Sequence, residues 1–308
     1  MSRIYEALRR ADLERKARLG SELHSVEDAN PEVEFAGQPP ALAEVMTGSV
    51  AEHSWKPVID SIPCLLEHGP VVEQFRGLRS KLTQARQEAA IKTVLVSSGM
   101  PSEGKSFVTM NLAVSLAREG VNRVLLIDGD LRRPTLHTIL RAPNKPGLSE
   151  YLSGAVDLHA IVQHYKTDER SGNQHGNVFE NLSLIPSGAS SEVSSELVAN
   201  GRMETLLAAL APHYDWILID SPPVLAVNDA VDMARVCDAV LLVAREARTP
   251  YQVVQRAQAA LRQSRLLGVV LNAAKHIQRN GYYYYSDYYG ANEAREKSKS
   301  KRGSRSKG

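Results

Sequence analysis

One octapeptide narrows the possible folds more than any other stretch of the chain. Gly99-Met-Pro-Ser-Glu-Gly104-Lys105-Ser106 matches the pattern G-x-x-x-x-G-K-[ST]. It follows a Val/Leu-rich strand over Thr93–Ser97 and opens a helix expected over Lys105–Arg118, the setting in which that pattern carries a mechanism. Glycines let backbone N–H groups approach phosphate oxygens, and the helix start adds partial positive charge. On this reading Gly99, Met100, Pro101, Ser102, Glu103, Gly104, Lys105, Ser106 and Phe107 wrap the phosphates of ATP or a closely related nucleotide. Lys105 offsets charge on the β- and γ-phosphates, and the Ser106 hydroxyl ligates Mg2+. The bland alternative is a glycine-rich turn without a ligand, which the flanking strand and helix argue against.

Strands and helices alternate around this loop. A helix is expected over Val71–Gln87 and a second strand over Arg123–Ile127. Later strands are expected at Leu182–Pro186, Trp216–Ile219, Ala239–Ala244 and Leu267–Leu271. Helices fit Met203–Leu210, Ala230–Arg235 and Pro250–Gln263. Short Val/Leu/Ile-rich strands separated by helices imply an α/β P-loop NTPase fold, a mostly parallel β-sheet with helices on both faces.

The flanks differ in character. Residues 1–19 read as a basic amphipathic helix, either a frayed terminus or a docking element. Residues 20–64 are acidic and interrupted by Pro31, Pro39, Pro40 and Pro57, and read as a disordered linker. The globular domain spans 65–280, a tyrosine cluster 281–290, and a basic disordered tail 291–308. A net charge of +2 gives no reason to expect a nucleic-acid partner. The two cysteines, Cys64 and Cys237, lack metal-ligand spacing and read as buried free thiols of a reducing compartment. The chain shows no signal-peptide core and no apolar run of membrane-spanning length, so a cytoplasmic location is expected, with any membrane recruitment left to a partner.

Two acidic motifs sharpen the site. Val124-Leu-Leu-Ile127 leads into Asp128, Asp130 and Arg132, and Trp216-Ile-Leu-Ile219 leads into Asp220-Ser-Pro222-Pro223. In an open parallel sheet, ligands bind beyond the carboxyl ends of the strands. All three motifs would then converge, with Asp128, Asp220 and Ser106 holding Mg2+ or its waters. Taken singly, either aspartate also reads as the N-cap of a following helix.

The set resembles the bacterial tyrosine kinases (BY-kinases) of capsule and exopolysaccharide systems, over roughly residues 65–290. The resemblance rests on Pro101 in the phosphate loop, on the D-x-D-x-R of Asp128, Asp130 and Arg132, and on the D-x-x-P of Asp220 to Pro223. It implies an ATP-dependent protein-tyrosine autokinase, of the type that is a separate chain, regulating polysaccharide polymerisation and export. Lys105, Asp128, Asp130 and Asp220 are then the catalytic set, with Asp128 accepting the tyrosine proton. Tyr282, Tyr283, Tyr284, Tyr285, Tyr288 and Tyr289 become autophosphorylation sites; four consecutive tyrosines cannot all face a core. The E-x-x-R-x-x-R of Glu73, Arg76 and Arg79 lies on one helix face. By resemblance it assembles a homo-oligomeric ring, with an octamer as the candidate size; on spacing alone it is a solvated face with an internal ion pair. The resemblance also implies a transmembrane chain-length determinant as activator and a tyrosine phosphatase as partner.

Two rivals share these motifs. Partition-type ATPases carry a signature Lys where this chain has Met100, which argues against them. A nucleotide-gated scaffold of a polysaccharide export complex remains open. The chain also departs from the family pattern: the loop over 186–200 keeps Ser194-Ser-Glu-Leu-Val198 but lacks the usual prolines, and Lys166–Val178 reads as an insertion.

Overall fold

Strands this short and apolar must be covered on both faces, and that requirement shapes the domain. The computed structural model describes residues 51–166, 176–190 and 194–274. The expected basic helix, most of the acidic linker, much of the insertion, the tyrosine cluster and the basic tail lie outside the described residues.

The strands are β1 (Ala51–His53), β2 (Thr93–Ser98), β3 (Val124–Asp128), β4 (Gln163–Tyr165), β5 (Leu182–Ile185), β6 (Trp216–Asp220), β7 (Ala239–Arg245) and β8 (Leu266–Asn272). They form one eight-stranded sheet in the order β1-β4-β5-β3-β6-β2-β7-β8. Every pairing is parallel except β4 with β5. The helices are α1 (Pro70–Ala89), α2 (Lys105–Ala117), α3 (Leu136–Leu140), α4 (Leu148–Leu152), α5 (Leu158–Ile161), α6 (Gly176–Glu180), α7 (Ser194–Ala199), α8 (Arg202–Leu210), α9 (Asp229–Val236) and α10 (Tyr251–Ala260).

Successive side chains of a strand point to opposite faces, so each central strand feeds two cores. Val94, Val96, Leu126 and Leu218 pack with Phe75 and Leu82 of α1 and Val108 and Leu112 of α2. Leu95, Ile127 and Ile219 pack with Leu206 of α8, Met233 of α9 and Val254 of α10. Helix α2 is buried nearly all round, which is why it reads as apolar rather than amphipathic.

The linker expected over 20–64 needs correction at its C-terminal end. Residues 51–65 include β1, two 3-10 turns (Ile59–Ser61 and Pro63–Leu65) and the buried residues Trp55, Ile62, Cys64 and Leu65. Asn111 of α2 clamps this segment. Its Oδ1 accepts the Cys64 amide at 3.1 Å, and its Nδ2 donates to the Ser61 carbonyl at 3.2 Å. Trp55 joins Tyr165 and Phe179 in an aromatic cluster with ring centroids 5.4–6.3 Å apart. These apolar residues are too sparse among prolines and acids to show a period. Cys64 is a buried free thiol, as expected, and burial raises its pKa to about 12; Cys237 is free and half-buried.

Candidate active site

The phosphate loop joins β2 to α2, and β2 lies between β6 and β7. Its sequence is dictated by close approach. A Cβ at Gly99 would stand 2.5 Å from Val253 Cγ1 of α10. Gly104 is the N-cap of α2 with φ +92°, a region that favours glycine. Ser102 also takes a left-handed φ of +62°, so the loop carries local strain that its surroundings must hold.

What holds it is a set of bonds outside the motif's own signature. Glu103 is buried; its Oε2 accepts the Met100 amide at 2.7 Å, and its Oε1 accepts the Thr249 hydroxyl. The Glu103 carbonyl accepts Asn272 Nδ2 at 2.9 Å, and the Ser102 carbonyl accepts Arg245 Nη1 at 3.2 Å. Thr249, Asn272 and Arg245 all follow or end β7 and β8, at the same edge of the sheet. These three share no local pattern with the loop, so the sequence alone does not single them out. The rule that sites form beyond the carboxyl ends of parallel strands points to their region but not to the residues.

Asp128 and Asp220 end β3 and β6 and sit directly opposite each other in the ladder. Both are fully enclosed. Asp128 Oδ2 accepts the Thr135 and Leu136 amides, each at 2.9 Å, so half of this carboxyl caps the start of α3. The capping alternative therefore describes one oxygen. Among the described residues the other, Oδ1, has no partner, and neither has Asp220 Oδ2. Asp220 accepts a hydrogen bond from Ser106 and lies 3.5 Å from Thr109 Oγ1. Thr109 is a full turn beyond Lys105 on α2, so helical spacing could have revealed it.

Burial pushes the pKa of both aspartates upward, and for Asp128 the Asp220 charge adds to the rise. Asp130 is also raised by burial, opposed first by the Arg133 amide and then by Lys105. Lys105 is only 8 % exposed and offsets charge on both Asp130 and Asp220. Two buried carboxyls, each with an orphaned oxygen and a serine hydroxyl between them and the loop, fit a hard cation. Mg2+ is held by one or two carboxylates plus phosphate and water rather than by a full protein cage.

A cleft of about 430 Å3 opens over this point. Lys105, Ser106 and Asp130 line it, whereas Asp128 lies beneath, fully buried. Arg132 is fixed at the rim: its Nε is 3.6 Å from Asp229 Oδ2, and its Nη2 is 3.5 Å from Ser195 Oγ, which itself donates to Asp229. The Ser194–Val198 remnant thus reaches the D-x-D-x-R motif. The Glu73/Arg76/Arg79 set lies on α1, apart from the residues that line the cleft. Arg76 pairs with Glu73 at 2.6 Å, while Arg79 donates to the Ser115 carbonyl at 2.8 Å and pairs with Glu119 at 3.0 Å. The tyrosine cluster lies outside the described residues.

A family model described as "AAA domain" matches residues 92–258. The tyrosine-protein kinase YwqD of Bacillus subtilis is 34% identical over 69% of this chain and 85% of its own length. The tyrosine-protein kinase etk of Escherichia coli is 33% identical over 73% of this chain but only 30% of its own length. The solved kinase domain of Escherichia coli ETK superposes with a TM-score of 0.59 at 33% identity, covering 66% of this chain and 76% of that domain. With the phosphate loop and paired aspartates in place, these likenesses show that the chain belongs to the bacterial tyrosine-kinase family.

Proposed function

We propose that the protein transfers the γ-phosphate of ATP to tyrosine hydroxyls of its own C-terminal cluster, Tyr282–Tyr285, Tyr288 and Tyr289. The observation that carries this reading is the pair of buried carboxyls with free oxygens beside a phosphate loop. That arrangement suits phosphoryl transfer, where positioning and charge neutralisation do most of the work.

A tyrosine hydroxyl has a pKa of about 10 and attacks poorly at neutral pH without help. Its oxygen bonds to the γ-phosphorus in line as the bond to the β-phosphate oxygen breaks, and ADP leaves with that electron pair. The tyrosine proton passes to a carboxylate. Asp128 was the expected acceptor, but Asp130 lines the cleft and Asp128 does not. We assign proton acceptance to Asp130 and leave Asp128 to orient the site through Thr135 and Leu136. Asp128, Asp220 and Ser106 would hold Mg2+, which supplies charge neutralisation on the transferred phosphate. Lys105 adds a second positive charge at the same place.

The regulatory reading is part of this proposal: control of exopolysaccharide or capsule polymerisation and export, with a transmembrane activator and an opposing phosphatase. No helix among the described residues is long and apolar enough to cross a membrane. Glu73 and Arg76 are the members of the helix motif most readily redirected to a neighbouring subunit in a ring. Theirs is an exposed pair, contributing about 0–1 kcal/mol. Arg79 already ties α1 to the end of α2.

Incubation with γ-labelled ATP and Mg2+ tests the proposal. Label on tyrosine is the expected result. Free phosphate with none on tyrosine would mean a partition-type ATPase, and no turnover would mean a scaffold or a missing activator.

A further inference from the structure

The phosphate loop and aspartates account for part of the cleft's lining and leave the rest unexplained. The remaining residues are of two unlike kinds. One is apolar: Pro222, Pro223, Ala226 and Val227 after β6. The other is cationic: Arg132 and Arg133 after β3. Arg132 is committed to Asp229 and Ser195. The Arg133 amide bonds Asp130 Oδ1 at 3.0 Å, yet its exposed guanidinium makes no hydrogen bond or ion pair among the described residues. The Arg133 charge also acts on Asp130, opposing the rise that burial causes in its pKa, so it already bears on the proton acceptor. An apolar lining beside an exposed guanidinium suits an aromatic ring whose chain neighbour is an anion.

We propose that these residues form the acceptor subsite, selecting a tyrosine beside a negatively charged residue, with Arg133 as the residue that reads the charge. This rests on the tyrosine-kinase reading above. The chain's own cluster holds such a tyrosine: Tyr288 follows Asp287 directly. A tyrosine phosphorylated earlier supplies the same chemistry, since it carries about −1.5 to −2 charge. Tyr288 is then modified first, and its phosphate recruits its neighbours.

The test uses the full chain with Mg2+ and ATP, mapping phosphotyrosines over time by mass spectrometry in wild type, Arg133→Gln, Arg133→Lys and Asp287→Asn. Binding of ATP itself is measured in each. Arg133→Gln should slow phosphorylation about three- to tenfold and scramble its order, while ATP affinity stays unchanged. Arg133→Lys should restore much of the rate. If Asp287 is the anion, Asp287→Asn reproduces the defect and adds nothing to Arg133→Gln. If phosphotyrosine is the anion, Asp287→Asn leaves the rate intact and only events after the first depend on Arg133. An equal loss of ATP affinity in Arg133→Gln would place this arginine in the nucleotide site and overturn the proposal. Unaltered rate and order would also overturn it. ATP hydrolysed to free phosphate in wild type with none on tyrosine would bring down the kinase reading itself, a separate outcome.

Discussion

Asp128 and Asp220 face each other across one rung of the sheet with an orphaned oxygen apiece, and that cost has a measurable consequence. Burial holds both carboxyls protonated above the ordinary aspartate value of about 4. A group whose folded pKa is raised stabilises fully below its unfolded value and loses that contribution as pH rises through the folded one. The metal-free protein should therefore lose stability from about pH 4 through neutrality. Asp220→Asn should flatten this slope and raise the neutral-pH Tm by a few degrees, about 2–4 °C for each kcal/mol recovered. It should also abolish the extra stabilisation that Mg2+ gives with nucleotide. Thermal unfolding in chelator and in Mg2+ with ADP checks both statements. At the loop, Thr249→Val removes the hydroxyl that steadies Glu103 and should weaken ATP binding about fivefold by titration. The aspartates were legible in the sequence because each ends an apolar strand run. Thr249 and Asn272 were not, because their role depends on where β7 and β8 stop relative to the loop.

At the scale of elements, the central strands and their helices were legible because each has enough residues to display a pattern. Boundaries moved by one to three residues: α2 ends one residue before the expected Arg118, which is its cap, and α10 ends at Ala260 rather than Gln263. The three-residue strands β1 and β4 showed nothing, since three residues cannot display alternation. Their stability comes instead from the Trp55, Tyr165 and Phe179 cluster that joins them to α6. Trp55→Ala should accordingly cost about 3–5 kcal/mol in denaturant unfolding, a penalty that a disordered linker would not incur. A null effect would return residues 51–64 to the linker.

The whole molecule combines a site at the carboxyl ends of the strands with segments whose roles are carried by their residue chemistry alone. If α1 mediates a ring, Arg76→Glu should shift the sedimentation profile toward monomer with little change in Tm, because the pair it breaks is exposed. Arg79→Ala should lower both, because that side chain also braces α2. Association unchanged in Arg76→Glu would remove α1 from the contact. The central claim, that a magnesium-dependent phosphate loop serves a tyrosine acceptor, is tested most directly by one measurement. Purified protein is incubated with Mg2+ and ATP, and its phosphorylated residues are mapped by mass spectrometry beside a Lys105→Met variant. The account predicts phosphate on the tyrosines of 282–289 and a loss of about 10²–10³ in rate for the variant. Phosphate found only in solution or on serine, or a variant as active as wild type, would contradict it.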